Sequence, residues 1–302
     1  MIAALAMALL AVSDPLPFAP PIDQPLRYRQ TEHRIGPDGS TLAFTLSEEV
    51  GYARDGPSYI MTIRALTADA QAQAPAAAVF LAAMRPFLGI PVKLRLSAAG
   101  DPGDLIDAAA TWTQVVAALQ AAADALPPDD PPAHRATIER IAHGLAALAL
   151  PARDAMMKAP AVALLGLAVS DIGVGESVPL AEPVETPSGP ALPSTGTIRR
   201  DPDRDGARHY SRDLVTSPAA AARLAAGLRA GAAKADAPMQ AQIAQQADMI
   251  EHLRIHETGQ IALSASSGLL LAATKRTTRA DAAAPGGERA VSDQELLLIP
   301  GP

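Results

Sequence analysis

Alternation of apolar and polar residues dominates the first third of the chain and predicts β-strands. In one segment Val92, Leu94 and Leu96 are separated by Lys93 and Arg95. The same period of two recurs in two other segments, at Leu42, Phe44 and Leu46 and at Tyr59, Met61 and Ile63, and a first strand begins at Leu26 and Tyr28. Since a period of two places alternate side chains on opposite faces, each segment is predicted to be a half-buried strand.

Short turn signals connect these segments. Asp-Gly pairs occur at residues 38–39, 55–56 and 205–206, each between segments that alternate. Both residues tolerate a positive φ, which the tightest hairpin turns require. The pattern therefore predicts antiparallel hairpins. A second hairpin set follows: residues 196–200 with 207–214, then 253–265 with 269–279. Residues 281–290 lack a pattern, and 295–299 are predicted to add an edge strand.

A period of three to four residues predicts helices between the strands. A short helix over residues 76–88 carries Phe80, Leu81, Met84 and Phe87 on its apolar side. The other predicted helices carry these apolar positions: Trp112, Val115, Val116 and Leu119; Ile138, Ile141, Leu145 and Leu148; residues 156–169; Leu224 and Leu228; Met239, Ile243, Ala247 and Ile250. Asp107 and the pair Ser217-Pro218 are typical helix starts.

These elements predict an α+β fold, in which a curved sheet of antiparallel hairpins is covered by an alanine-rich helical block. Proline-rich stretches divide the chain. We expect a signal peptide over 1–13, a linker over 14–25, a β-rich block with helices over 26–178, and a loop or linker over 179–195. Residues 196–302 form a second block packed on the first as one domain, and whether the two blocks share one sheet stays open.

A weak internal similarity relates two of the predicted hairpins. Residues 92–100 and 260–268 are both alternating strands that end in a turn of small residues and glycine. Chance resemblance within an Ala/Ser-rich sequence is the favoured interpretation, and tandem duplication of one β-α unit is the alternative.

Composition limits the class of protein. Of 302 residues, 49% are hydrophobic but only 3% are aromatic, so the core is predicted to consist of Leu, Val, Ile and Ala. The formal net charge of −7 argues against a nucleic-acid-binding protein. The absence of cysteine excludes disulfides, a thiolate nucleophile and Cys-ligated zinc.

The N-terminus indicates export. Residues 2–12 are an unbroken apolar run of signal-peptide length, and Ala11 and Ser13 suit cleavage after Ser13. The run has no preceding Lys or Arg, so a buried N-terminal helix or a misassigned start are the alternatives. We expect a periplasmic or secreted protein. No segment is predicted to span a membrane, because the best candidate, residues 159–169, is too short and contains Pro160.

One motif is a candidate metal site. Asp201, Asp203 and Asp205, followed by Gly206, have the spacing with which a calcium loop begins. Arg212 stands where a bidentate Glu is expected, and five arginines surround the loop. A polar hairpin turn, with aspartates paired to arginines, is the favoured interpretation.

Motifs for catalysis are not found in the sequence. It has no Gly-x-Ser-x-Gly, no Ser-x-x-Lys and no phosphate-binding loop, and residues 173–175 give only half of a dinucleotide fingerprint. His252 and His256 are spaced as in zinc proteases, but the Glu of that motif is missing, and surface histidines are favoured. No cofactor is predicted, and the chain is interpreted as more consistent with a non-enzyme.

The predicted combination of leader, curved strands and apolar helices resembles bacterial periplasmic carriers that hold a lipid between a half-barrel and helices. The resemblance is one of architecture and rests on no motif. It implies an exported, non-catalytic binding or envelope accessory protein with an apolar ligand between sheet and helices. The ligand would contact Leu42, Phe44, Leu46 and Trp112. The alternatives are an exported enzyme with a site of dispersed residues and a calcium-stabilised structural module.

Overall fold

The computed structural model describes residues 16–35, 40–71, 77, 80–81, 84–124, 126, 132–165, 172–186, 189–232, 237–281 and 289–299. The signal-peptide prediction and the first Asp-Gly turn lie outside these residues. The strands are β1 Leu26–Ile35, β2 Thr41–Asp55, β3 Ser58–Gln71, β4 Pro91–Leu96, β5 Pro102–Ile106, β6 Ser177–Leu180, β7 Pro183–Thr186, β8 Gly189–Arg204, β9 Ala207–Thr216, β10 Leu253–Ser264, β11 Leu270–Asp281 and β12 Arg289–Ile299.

Five helices are described in full. They are α1 Ala108–Asp124, α2 Pro132–Ala146, α3 Leu150–Leu165, α4 Pro218–Ala232 and α5 Ala237–His252. Residues Phe80, Leu81 and Met84 are also helical and precede a short 3-10 turn, Arg85–Phe87. Ser217 caps α4 as its sequence predicts, because its hydroxyl accepts a hydrogen bond from the Ala220 amide at 3.3 Å. The helix predicted over 156–169 begins earlier, at Leu150, and residues 166–169 lie outside the described part.

All strands of the sheet pair antiparallel, and their order is β5-β4-β3-β2-β1-β12-β11-β10-β9-β8-β6, with β7 also paired to β8. The predicted α+β class with an antiparallel sheet is confirmed. Among the described strands, the end strands β5 and β6 do not pair with each other, so the sheet is open, which fits a curved sheet. Both end strands are short and contain proline, features that protect a sheet edge from pairing with other chains.

The last strand lies in the middle of the sheet, which corrects the prediction of an edge strand. β12 pairs with β1 on one side and with β11 on the other, and thereby joins the two β-rich blocks into one sheet. Its end, residues 296–299, is apolar at every position, as expected of a strand enclosed between neighbours. Leu296 is buried in the main apolar cluster and Leu298 packs against it.

The proline-rich stretch 179–195, predicted as a loop or linker, forms strands in the structure. It contains the end of β6, all of β7 and the start of β8. Two of its prolines fit because Pro179 lies in the end strand β6 and Pro183 is the first residue of β7, positions where a missing amide N–H is tolerated.

The apolar clusters lie on one side of the sheet, here called the helix face. In the larger cluster, Tyr28, Val50 and Leu94 of the strands join Ala161 and Leu164 of α3. In the second cluster, Leu214 and Ile255 join Ala225 of α4 and Ala247 and Ile250 of α5. We call the opposite side the open face; no described helix contributes to an apolar cluster on it.

Alanine sets how the helices pack. Ala221 and Ala225 of α4 are fully buried while the longer Leu224 and Leu228 are only partly buried, so the predicted apolar stripe is displaced by one position. The same displacement occurs in α2, where Ala142 is buried and Ile141 is 37% exposed. A small side chain lets a helix approach its neighbour closely, which favours the alanine side of each helix.

The weak similarity between residues 92–100 and 260–268 falls on equivalent places in the topology. The order β2, β3, helix, β4, β5 is repeated by β8, β9, α4–α5, β10, β11, and the four strands of each set are adjacent in the same order. Similar sequences at equivalent positions favour duplication over chance more than the sequence alone does.

Leu94 provides a test of the strand register. It is 1% exposed within the main cluster. Arg95 points to the other side of the sheet, where its exposed side chain pairs with Asp55 at 3.0 Å. We expect Leu94→Ala to lower the free energy of unfolding by about 2–5 kcal/mol. Arg95→Ala should change it by less than about 1 kcal/mol. Urea denaturation of both variants measures the difference, and equal losses would contradict the register.

Candidate functional site

The predicted apolar site is only partly assembled. Leu42, Phe44 and Leu46 lie at alternate positions of β2, on the helix face and only half buried. The ring of Phe80 packs on Phe44, with 4.5 Å between the centroids. Trp112 is buried in α1, which contacts β4 and the 3-10 turn rather than β2. The structure therefore groups three of the four predicted residues and places Phe80, not Trp112, against Phe44.

The predicted metal loop is the turn of the β8–β9 hairpin. The guanidinium of Arg199 contacts the Asp201 carboxylate and that of Arg200 contacts Asp203, each at 2.8 Å. Asp205 and Gly206 occupy the turn, with φ of 52° and 71°. Within the described residues, no group of three or more His, Asp or Glu side chains converges on one point. The arginine pairing matches the favoured sequence interpretation of this loop.

The two histidines spaced four apart lie on different elements. His252 ends α5, whereas His256 lies in β10, where its Nε2 is 3.2 Å from the Asp213 carboxylate. His256 thus belongs to the open face, together with its partner in β9.

The open face carries a cavity of about 720 Å³. Its lining comes from seven strands that are adjacent in the sheet: β1, β12, β11, β10, β9, β8 and β6. A cavity that touches seven neighbouring strands fits a sheet that curves, with this side as its concave side.

The strand register arranges the lining into two rows that run across the strands. The first row is His33, Asp293, Arg276, Thr258, Asp213 and Thr197. The second row is Glu295, Thr274, Gln260, Ser211, Arg199 and Ser177. We call these twelve residues the polar trough. Every one carries a hydrogen-bonding side chain, and Arg212, Gly259, Lys275 and Gln294 lie between the rows.

The charges of the polar trough are nearly balanced. Three carboxylates face two guanidinium groups and one imidazole. Arg276 lies 3.7 Å from Asp293, and Arg199 pairs outside the trough with Asp201. The side chains in these pairs are between 26% and 62% exposed, so water weakens the pairs, and their polar atoms remain available to a ligand.

A buried ion cluster lies directly behind the trough, on the helix face. The Glu257 carboxylate, 5% exposed, contacts the guanidinium of Arg212 and lies 3.9 Å from the Lys275 ammonium. Arg212 is also 3.4 Å from Glu182. A Cβ at Gly259 would lie 3.1 Å from the Arg212 side chain, so the glycine leaves room for the guanidinium to cross to Glu257. The cluster holds β9, β10 and β11 together beneath the trough.

Sequence reasoning identified most of these strands, but neither β6 nor the trough. The signal was present in the polar half of each alternation, since Thr258 and Gln260 lie opposite the buried Glu257 and Ile261. Such residues are typical of any solvated strand face, and only the register brings them into rows.

Glu48 is a buried carboxylate on the helix face of β2. It is 6% exposed, and no hydrogen bond or ion pair among the described residues reaches it. Burial raises the pKa of the Glu48 carboxyl above its ordinary value. The folded state therefore favours the protonated form. The raised pKa of Glu48 contributes to the free energy of unfolding at pH values below the ordinary glutamate pKa. That contribution is lost as the pH rises through the pKa of Glu48 in the folded state.

We expect Glu48→Gln to stabilise the protein at about pH 8, with a difference that shrinks towards about pH 4, where glutamate is largely protonated. The neutral amide removes the cost of the buried charge. The adjacent Glu49→Gln, whose carboxylate is 3.8 Å from Arg64 at the surface, is the matched control and should show no such trend. Urea midpoints across this pH range measure the effect, and a Glu48→Gln difference that is independent of pH would contradict it.

Comparison with known proteins leaves the chain without a family. No family model matches it, and no curated protein matches it. Among solved structures it is similar to lipovitellin, in a study of lipid–protein interactions, at 11% identity and a TM-score of 0.41, over 91% of this chain. It is also similar to DynF of the dynemicin biosynthesis pathway of Micromonospora chersina, at 9% identity and a TM-score of 0.19, over 95% of this chain and 85% of that one.

This chain spans about a quarter of the lipovitellin chain, 25% by length. With TM-scores this low, neither similarity carries an argument about function. No described helix is long and apolar enough to cross a membrane. A role for this chain therefore has to be inferred from its fold and from the polar trough.

Proposed function

We propose that the protein is an exported, non-catalytic binding protein of the cell envelope and that it binds a polar ligand in the polar trough. The concave shape of the trough supports this most directly. A solvated sheet face is commonly polar, and this one also carries a cavity of about 720 Å³, which lies within the range of small-ligand sites.

The chemistry of the trough favours binding over catalysis. In the two rows, no serine or threonine has a histidine within hydrogen-bonding distance among the contacts of the described residues. Positions that can both donate and accept hydrogen bonds are typical of recognition surfaces.

Export rests on the sequence alone, on the apolar run of residues 2–12 and the small residues at a cleavage site after Ser13. N-terminal sequencing of the protein from its native host should find a mature chain beginning near Asp14. An intact Met1 in a cytoplasmic fraction would contradict export without affecting the trough.

Native mass spectrometry of the protein purified from its native host without detergent tests the binding function. We expect a bound mass. Gln260→Arg, which places a large cation in the middle of the second row, should abolish it. The bound mass should persist in Phe44→Arg, which alters the helix face of β2 instead. The absence of any bound mass would contradict a binding function.

A second candidate is an apolar ligand on the helix face, and the half-exposed Leu42, Phe44 and Leu46 favour it. Apolar side chains at three successive positions of one strand face usually have a partner, and in the described residues the Phe80 ring and the Arg34 guanidinium lie against Phe44. The same mass-spectrometry experiment distinguishes the two sites: loss of the bound mass in Phe44→Arg, but not in Gln260→Arg, would favour the apolar ligand.

A further inference from the structure

We propose that the ligand of the polar trough is a short, linear, neutral oligosaccharide that lies across the strands. This inference rests on the proposed binding function and specifies its ligand. It follows from the hydrogen-bonding groups, the balance of charge and the shape of the trough.

The hydrogen-bonding groups match hydroxyls. Carboxylates such as Asp293 only accept and guanidinium groups such as Arg276 only donate, and both kinds lie among side chains that do both, such as Thr258. A hydroxyl donates one hydrogen bond and accepts two, so it can satisfy all three kinds of partner. An apolar ligand would cover these groups and leave them unsatisfied, at a cost for each one.

The charges exclude strongly ionic ligands. A polyanion would meet Asp213, Asp293 and Glu295, and a polycation would meet Arg199 and Arg276. Since like charges in contact oppose binding, a ligand without formal charge is the class that neither set repels.

The shape favours a linear oligomer. Each row crosses six adjacent strands, which at the usual spacing between strands corresponds to a path of about 24 Å along the curved sheet. The trough is only two rows wide, so a ligand that uses both rows along their length must be elongated. A chain of hydroxyl-bearing rings presents hydroxyls on both edges, one edge towards each row.

Isothermal titration calorimetry with maltotetraose, cellotetraose and chitotetraose tests the proposal on the full-length protein. We expect saturable binding of at least one of these glycans with a Kd below about 1 mM. Thr274→Val, which keeps the shape of the side chain but removes one hydroxyl of the second row, should weaken that binding about 2- to 12-fold. Thr67→Val, at an exposed position of β3 outside the trough, is the matched control and should bind as the wild type does.

Failure of all three glycans to bind would overturn the proposal, as would equal weakening by Thr274→Val and Thr67→Val. Binding of a neutral extended peptide of alanine and glycine in place of the glycans would also overturn it. If native mass spectrometry detects a bound mass that Gln260→Arg removes, while no glycan binds, then the binding function stands and the ligand class is wrong.

Discussion

Replacing Gly196 with alanine is expected to unfold the protein or to cost more than about 4 kcal/mol of its stability. Gly196 lies in β8 opposite Leu214 of β9, and a Cβ there would stand 1.7 Å from the Asp213 carbonyl oxygen. Because that oxygen belongs to the backbone of a paired strand, no side-chain rotation relieves the overlap. The hairpin would have to separate where it forms the floor of the polar trough.

Gly51→Ala is the matched control, since Gly51 also lies in a strand and has nothing within 4 Å of the position of a Cβ. Restricting the unfolded chain at such a site should stabilise the protein by up to about 1 kcal/mol. Thermal and urea denaturation of both variants provide the measurement. A Gly196→Ala protein that melts with the wild type would show that β8 and β9 are further apart than described.

Arg212→Ala is expected to have the second large effect, a loss of about 3 kcal/mol in the free energy of unfolding. Glu257 is 5% exposed, and without Arg212 it retains only the Lys275 ammonium, 3.9 Å away and itself 32% exposed. The cost arises because a buried charge loses its main partner. Removing an exposed partner, as in Arg64→Ala, should cost less than about 1 kcal/mol.

A second substitution separates this cause from simple loss of packing. Adding Glu257→Gln to Arg212→Ala replaces the unpaired carboxylate by a neutral amide, and part of the lost stability should return. Urea midpoints of the single and double variants are the measurement. A double variant that is no more stable than Arg212→Ala would mean that Arg212 acts through its volume rather than its charge.

Local pattern predicted most strands and helices, because burial of alternate residues requires only a sheet with one covered face. Leu94 and Trp112 were both placed correctly on buried sides. The position of β12 could not be predicted in this way. An apolar run such as residues 296–299 indicates burial but does not identify the strands with which it pairs. The prolines of 179–195 suggested a linker for a related reason: their tolerance depends on β6 being at the edge.

The candidate site was less predictable than the fold, for a physical reason. Arg276 and Asp213 are separated by many residues, and nothing near either one in the sequence marks it as part of a binding surface. Long-range register alone makes Thr258 the residue between them. The metal loop had the opposite character: its spacing was a local signal, and the arginines on either side supply partners for Asp201 and Asp203.

The pairing of β1 with β12 affects how the protein folds during its synthesis. Strands β1 and β12 are neighbours, so the centre of the sheet cannot form until synthesis has passed β12. Contacts so distant in sequence make folding slow, and until then β1 and β11 each present an unpaired edge. A ribosome-bound chain would therefore stay incompletely folded at least until β12 has emerged from the ribosome.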